Sequence, residues 1–170
     1  MPYRCIAIVV LLFLVMAKAG AQESITAQVF AEVIEALAAN EDEALNFGRF
    51  SPGNNGGAIV VYPGGLRTIQ GTVVTANGDY SPGRFMVSGA PGASLSIQLP
   101  ENPAVLIHRK SGKTMQVKDW ISDPPSGGAT DALPDGTCLV SIGATLVIGN
   151  IDDNPVGLYA GTYMLTFAYN

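Results

Sequence analysis

Between Ala58 and Tyr169 apolar residues recur at every second position, in short runs broken by glycine and proline. A period of two turns alternate side chains to opposite faces of an extended chain, so each run reads as a half-buried strand. Ser94-Leu95-Ser96-Ile97-Gln98-Leu99 is the cleanest run, with Leu95, Ile97 and Leu99 on one face. Ile59–Tyr62, Leu66–Thr75, Phe85–Gly89, Ala104–Ile107, Thr114–Ile121 and Cys138–Ile148 are further candidates, rich in β-branched residues. Pro63-Gly64-Gly65, Asn77-Gly78, Ser81-Pro82-Gly83, Ala90-Pro91-Gly92 and Pro124–Gly128 supply the turns. Short strands with turns every 8–12 residues define an all-β sandwich or barrel.

The start of the chain follows a different rule. Met1–Arg4 is a short basic stretch, Cys5–Met16 is continuously apolar, and Ala19-Gly20-Ala21 offers small residues before Gln22. That three-part order is a cleaved secretory signal over residues 1–21. Twelve apolar residues are too few to cross a hydrocarbon core of about 30 Å, so no membrane span is expected after cleavage. Residues 1–21 hold Arg4 and Lys18, which leaves seven Lys and Arg against fourteen Asp and Glu in the mature chain. An acidic chain of this kind is a poor phosphate tracker, and no nucleic-acid partner is expected.

The mature chain also keeps one cysteine, Cys138, which cannot close an internal disulfide. Cys138 shares its strand face with Val140, Ile142, Ala144, Leu146 and Ile148, so it reads as a buried, inert thiol.

Ser24–Asn40 admits two periods. Ile25, Ala27, Val29, Ala31 and Val33 alternate as a strand would, while Val29, Val33, Ile34 and Leu37 could line a helix. No capping box opens the segment, and Ile, Thr, Val and Phe dominate its first half, so Ile25–Glu35 is expected as a strand. The expected organisation is a signal over 1–21, an N-terminal strand or donor extension over 22–40, and a sandwich domain over 41–170.

Catalytic signatures are thin. Ser111-Gly112-Lys113-Thr114 imitates the end of a phosphate-binding loop, but Ile107 stands where the first glycine belongs. Gly53–Gly57 lacks the strand–loop–helix setting of a dinucleotide fingerprint. Asp152-Asp153-Asn154 offers hard oxygen ligands without the alternating carboxylates of a calcium loop, and a solvated turn is expected there. His108, beside Arg109 and Lys110, has no nucleophile motif to serve and is expected on a surface loop. Trp120 is expected to pack partly into the core, the alternative being a sugar-stacking platform. The expectation is a protein that is not an enzyme, with no catalytic, cofactor-binding or metal residues.

In Thr162–Tyr169 the odd positions Tyr163, Leu165, Phe167 and Tyr169 form one apolar face, and the sequence given stops at Asn170. Gly157 fourteenth from that end, the alternation and the penultimate Tyr169 resemble the C-terminal signature of chaperone–usher pilins. The resemblance implies an immunoglobulin-like antiparallel β-sandwich that lacks one strand. It further implies an acceptor groove bordered by the C-terminal strand, filled first by a periplasmic chaperone and then by a neighbour's N-terminal extension. The physics of such filling is β-augmentation.

A second resemblance spans about 115 residues. Leu45-Asn46-Phe47-Gly48, Arg84–Gly89, Ile97-Gln98-Leu99-Pro100, Ile142–Leu146 and Gly157–Tyr163 occur in this order. The order is similar to a bacterial secreted family known as domain of unknown function 4402. That family implies a β-sandwich exported by Gram-negative bacteria to the periplasm or cell surface.

Two functions follow as expectations. One is a structural subunit of a pilus-like surface filament, with Ile25, Ala27, Val29, Ala31 and Val33 as donor and Gly157, Tyr163, Leu165, Phe167 and Tyr169 as acceptor. The other is a self-contained secreted module that binds carbohydrate or a surface protein.

Overall fold

The computed structural model describes residues 25–26, 28–127 and 130–170. The signal expected over 1–21 and the expected donor position Ala27 lie outside the described residues. The chain divides after Val33, and the fold that follows is that of Ile34–Asn170.

It is all-β, with thirteen strands and no helix among the described residues. They are β1 (Ala38–Glu43), β2 (Phe50–Ser51), β3 (Gly57–Val61), β4 (Arg67–Gly71), β5 (Val74–Thr75), β6 (Gly83–Ser88) and β7 (Ala93–Gln98), then β8 (Ala104–His108), β9 (Thr114–Asp123), β10 (Thr130–Leu133), β11 (Thr137–Ile148), β12 (Tyr159–Ala160) and β13 (Thr166–Tyr169). The large sheet runs β1-β6-β11-β9-β8-β12, with β3 also beside β11 and β4 beyond β3. A second sheet runs β10-β7-β13, and β2 pairs with β5. Every strand pair is antiparallel.

The spine is β11. Its residues 137–142 pair with β6 and its residues 144–148 pair with β3, while β9 holds its other edge. Val140, Ile142, Ala144, Leu146 and Ile148 all point inward and are buried, as the period of two requires. One core cluster joins Val87, Val140 and Ile142 of the large sheet to Leu95 and Ile97 of the second. That is the sandwich proper. A neighbouring cluster gathers Phe47, Ile59, Val61, Val73, Met115, Val117, Ala144, Leu146 and Ile148, and Trp120 packs against both.

Trp120 reaches that junction through a break in phase. Opposite Ala144 alone, β9 carries two residues, Asp119 and Trp120, because Gly143 pairs with Ile121 but Thr145 pairs with Lys118. This bulge puts Asp119 at φ 52°. It shifts the inward set from Met115 and Val117 to Trp120 and Ser122, the re-aiming expected of an extra residue in one strand. The expected partial burial of Trp120 holds.

Four readings need correction. No strand forms over the described part of Ile25–Glu35; the first strand is β1, Ala-Ala-Asn-Glu-Asp-Glu, and it is mostly exposed. Its ladder with β6, and not a buried face, makes it a strand, so no apolar alternation announces it. Leu66–Thr75 splits into β4 and β5 because Gly71 turns the chain at φ 82°. His108 is 4% exposed instead of lying on a surface loop. Cys138 faces inward but is only half-buried, since it is the second residue of β11 and lies at the margin of the core.

Candidate acceptor groove

A cleft of about 790 Å³ opens where the second sheet does not cover the large one. Its floor is the inner face of the large sheet: Leu106 of β8, Met115 and Val117 of β9, and Leu146 of β11. Residues 45–52 form one wall and residues 154–163 the other. Among the described residues Arg49 is the only charged side chain lining it, so the cleft favours an apolar occupant.

The first wall is fastened by backbone bonds. Asn46 and Ser81 exchange both N–H···O contacts at 2.9 Å. The Arg67 guanidinium donates to the Phe47 carbonyl at 3.3 Å and lies over the Tyr80 ring, 4.0 Å from its centroid.

The second wall hangs on two buried polar residues. Asn154 is 4% exposed; its amide donates to the Thr114 carbonyl at 3.0 Å and its Oδ1 accepts the Gly149 N–H. Asp152 and Asp153 stay in an exposed turn whose N–H groups both reach Asn150 Oδ1 at 2.9 Å. His108, at the end of β8, takes the Ser111 N–H on Nδ1 at 3.1 Å and stacks beside Tyr159 at 4.8 Å. Gly157 lies on that imidazole: a Cβ there would overlap Nε2 and stand 2.7 Å from Cδ2. Its φ of 155° also belongs to the range that side chains avoid. Tyr159 and Ala160 then pair with His108 and Ile107.

Of the expected acceptor residues, Gly157 and Tyr163 line the cleft. Tyr163, Leu165, Phe167 and Tyr169 are all half-buried, with their even neighbours exposed, so the alternating face is real. The strand itself is shorter than expected, being Thr166–Tyr169 only. β13 pairs with β7 and stands at the margin of its sheet. Tyr163 stacks on Trp120 at 4.7 Å, and burial with the nearby Glu41 charge raises its phenol to about 12. Its hydroxyl has no hydrogen-bond partner among the described residues. Burial, helped by the Asp123 charge, also raises the Cys138 thiol.

Of the expected donor residues, Ile25, Val29, Ala31 and Val33 are exposed and lie outside the strands of the described residues, Val29 being 92% and Val33 96% exposed. The floor residues Leu106, Met115 and Leu146 escaped the sequence reading as site residues, because a groove floor and a core face carry the same alternation. His108 escaped as well; a lone histidine beside two cations signals nothing until Gly157 is seen against it.

Among the described residues no three His, Cys, Asp or Glu side chains gather as a metal site would need, and no helix is long and apolar enough to cross a membrane.

Fold and cleft together define an antiparallel β-sandwich with one apolar flank uncovered. The chain belongs to the family Domain of unknown function (DUF4402), which matches residues 37–169. No curated protein and no solved structure matches it.

Proposed function

We propose that the protein is a structural subunit of a bacterial surface filament that assembles by strand donation, Ile25–Val33 of one copy entering the groove of the next beside β13. The observation that carries this reading is that, among the described residues, β13 stands at the margin of its sheet while Tyr163, just ahead of it, lines a mainly apolar cleft. A strand at a sheet margin, continued by a segment that borders an apolar cleft, invites a further strand. Ile25, Val29, Ala31 and Val33 supply exposed apolar side chains at the matching period of two. In this reading the chain is exported, and a periplasmic chaperone guards the groove before assembly.

Deleting residues 22–33 from the mature chain should stop polymerisation and leave a folded acceptor. Adding the peptide Gln22–Val33 should then raise its melting temperature, since a ligand of the native state alone stabilises it. Val29→Asp in the peptide should abolish the gain by burying an unpaired charge. A monomeric full-length chain and a deletion variant that ignores the peptide would sink the proposal.

A second reading rests on the cleft alone. Its volume falls within the roughly 300–1,000 Å³ of small-ligand sites, and Phe47, Trp120 and Tyr159 line it, which suits a secreted module that binds carbohydrate. That reading expects a stable monomer whose Trp120 fluorescence responds to sugar and not to the peptide.

A further inference from the structure

Tyr169 does more than end the apolar row of β13. Its hydroxyl accepts the Ala90 N–H at 2.8 Å and donates to the Glu35 carbonyl at 2.8 Å, across 134 positions of sequence. Gly89 makes room for it: a Cβ at that position would overlap the Tyr169 hydroxyl and stand 3.0 Å from Leu37 Cδ1. Leu37 in turn packs against the core cluster, and Ala38 opens the ladder with Ser88. Glu35 is therefore the first of these attachments along the chain. Ahead of it, Ile34 and Val33 are exposed and outside any strand.

The stretch Tyr163–Tyr169 thus has two ends with different contacts. Tyr163 lines the cleft, and Tyr169 grips the backbone from which the N-terminal segment departs. We propose that Tyr169 is a positioning residue for donation: it fixes the root of the donor segment at Glu35, so that fewer residues must be ordered when Ile25–Val33 enters a neighbour. This rests on the filament reading and adds to it the residue that presents the donor. Without the hydroxyl, residues 35–37 gain freedom that binding must remove again, each ordered residue being costly. One lost hydrogen bond acts in the same direction.

The test compares the mature wild-type chain with Gly89→Ala and with Tyr169→Phe. Self-assembly is followed by sedimentation. Uptake of free Gln22–Val33 peptide is followed by the fluorescence of Trp120, the one tryptophan of the chain. Gly89→Ala, which displaces the hydroxyl and lies outside the acceptor row, should take up the peptide as the wild type does, because the free peptide has no root to fix. Its assembly should need a protein concentration about tenfold higher. Tyr169→Phe, which removes the hydroxyl and keeps the ring, should reproduce the assembly loss and carries that arm of the test if Gly89→Ala does not fold. Unchanged assembly in the variant that folds overturns the proposal. So does a parallel loss of peptide uptake, which would make Tyr169 part of the acceptor. A wild-type chain that neither assembles nor takes up peptide overturns the filament reading itself, and is recognised because it fails without any substitution.

Discussion

At residue scale the most constrained position in the cleft wall is Gly157, held in a left-handed backbone with the His108 ring against it. Gly157→Ala should destabilise the fold by about 2–4 kcal/mol, combining backbone strain with an overlap the ring cannot yield to. Chemical denaturation of the double variant with His108→Ala should show a smaller cost, because part of the clash has been removed. Tyr163 gives a pH prediction. Its phenol is raised to about 12 in the fold from an ordinary value of 10. The folded state thus holds its proton more tightly than the unfolded one. The associated stability is present in full below pH 10 and is lost as pH climbs from there toward 12. Tyr163→Phe should flatten that alkaline decline in a series of thermal melts. At neutral pH it should cost little, since the hydroxyl it removes has no partner among the described residues.

Among the elements, β11 and β1 stand at opposite extremes. β11 buries alternate side chains against both core clusters, and Leu146→Ala should cost roughly 2–5 kcal/mol by urea denaturation. β1 is exposed along most of its length and joined to β6 by its ladder and a half-exposed Arg84–Glu43 ion pair at 3.2 Å. Glu43→Gln should change stability by less than about 1 kcal/mol. The same contrast explains what could be read in advance. β6, β7, β8, β9 and β11 each turn one face inward, and alternation with flanking Gly or Pro reveals such a strand, while β3 is buried on both faces at Ile59, Val60 and Val61 and reads as a continuous apolar run. β1 carries no buried face, so nothing in Ala38–Glu43 separates it from a loop. The C-terminal apolar row was legible as an alternation from Tyr163 to Tyr169. The wall opposite it was not, because residues 45–52 are held by backbone bonds to Ser81 and by Arg67 over Tyr80, contacts made across long stretches of sequence.

For the whole molecule, the compact fold begins at Ile34, and the family match begins nearby at residue 37. Limited proteolysis should trim the exposed Ile25–Val33 segment first and leave a resistant fragment that starts near Glu35, with a β-type far-ultraviolet circular dichroism spectrum. Helix minima in the intact mature chain would contradict the fold. The bulge at Asp119 matters at this scale too. Its two residues face only Ala144, so a gene lacking the Asp119 codon would encode a β9 of even pitch, with Trp120 moving into the slot opposite Ala144 and every inward residue still inward. What such a chain forfeits is curvature, since an extra residue bends its strand and tightens the local twist. The contour of the cleft floor is therefore open to change by a one-codon deletion that leaves the composition of the core untouched.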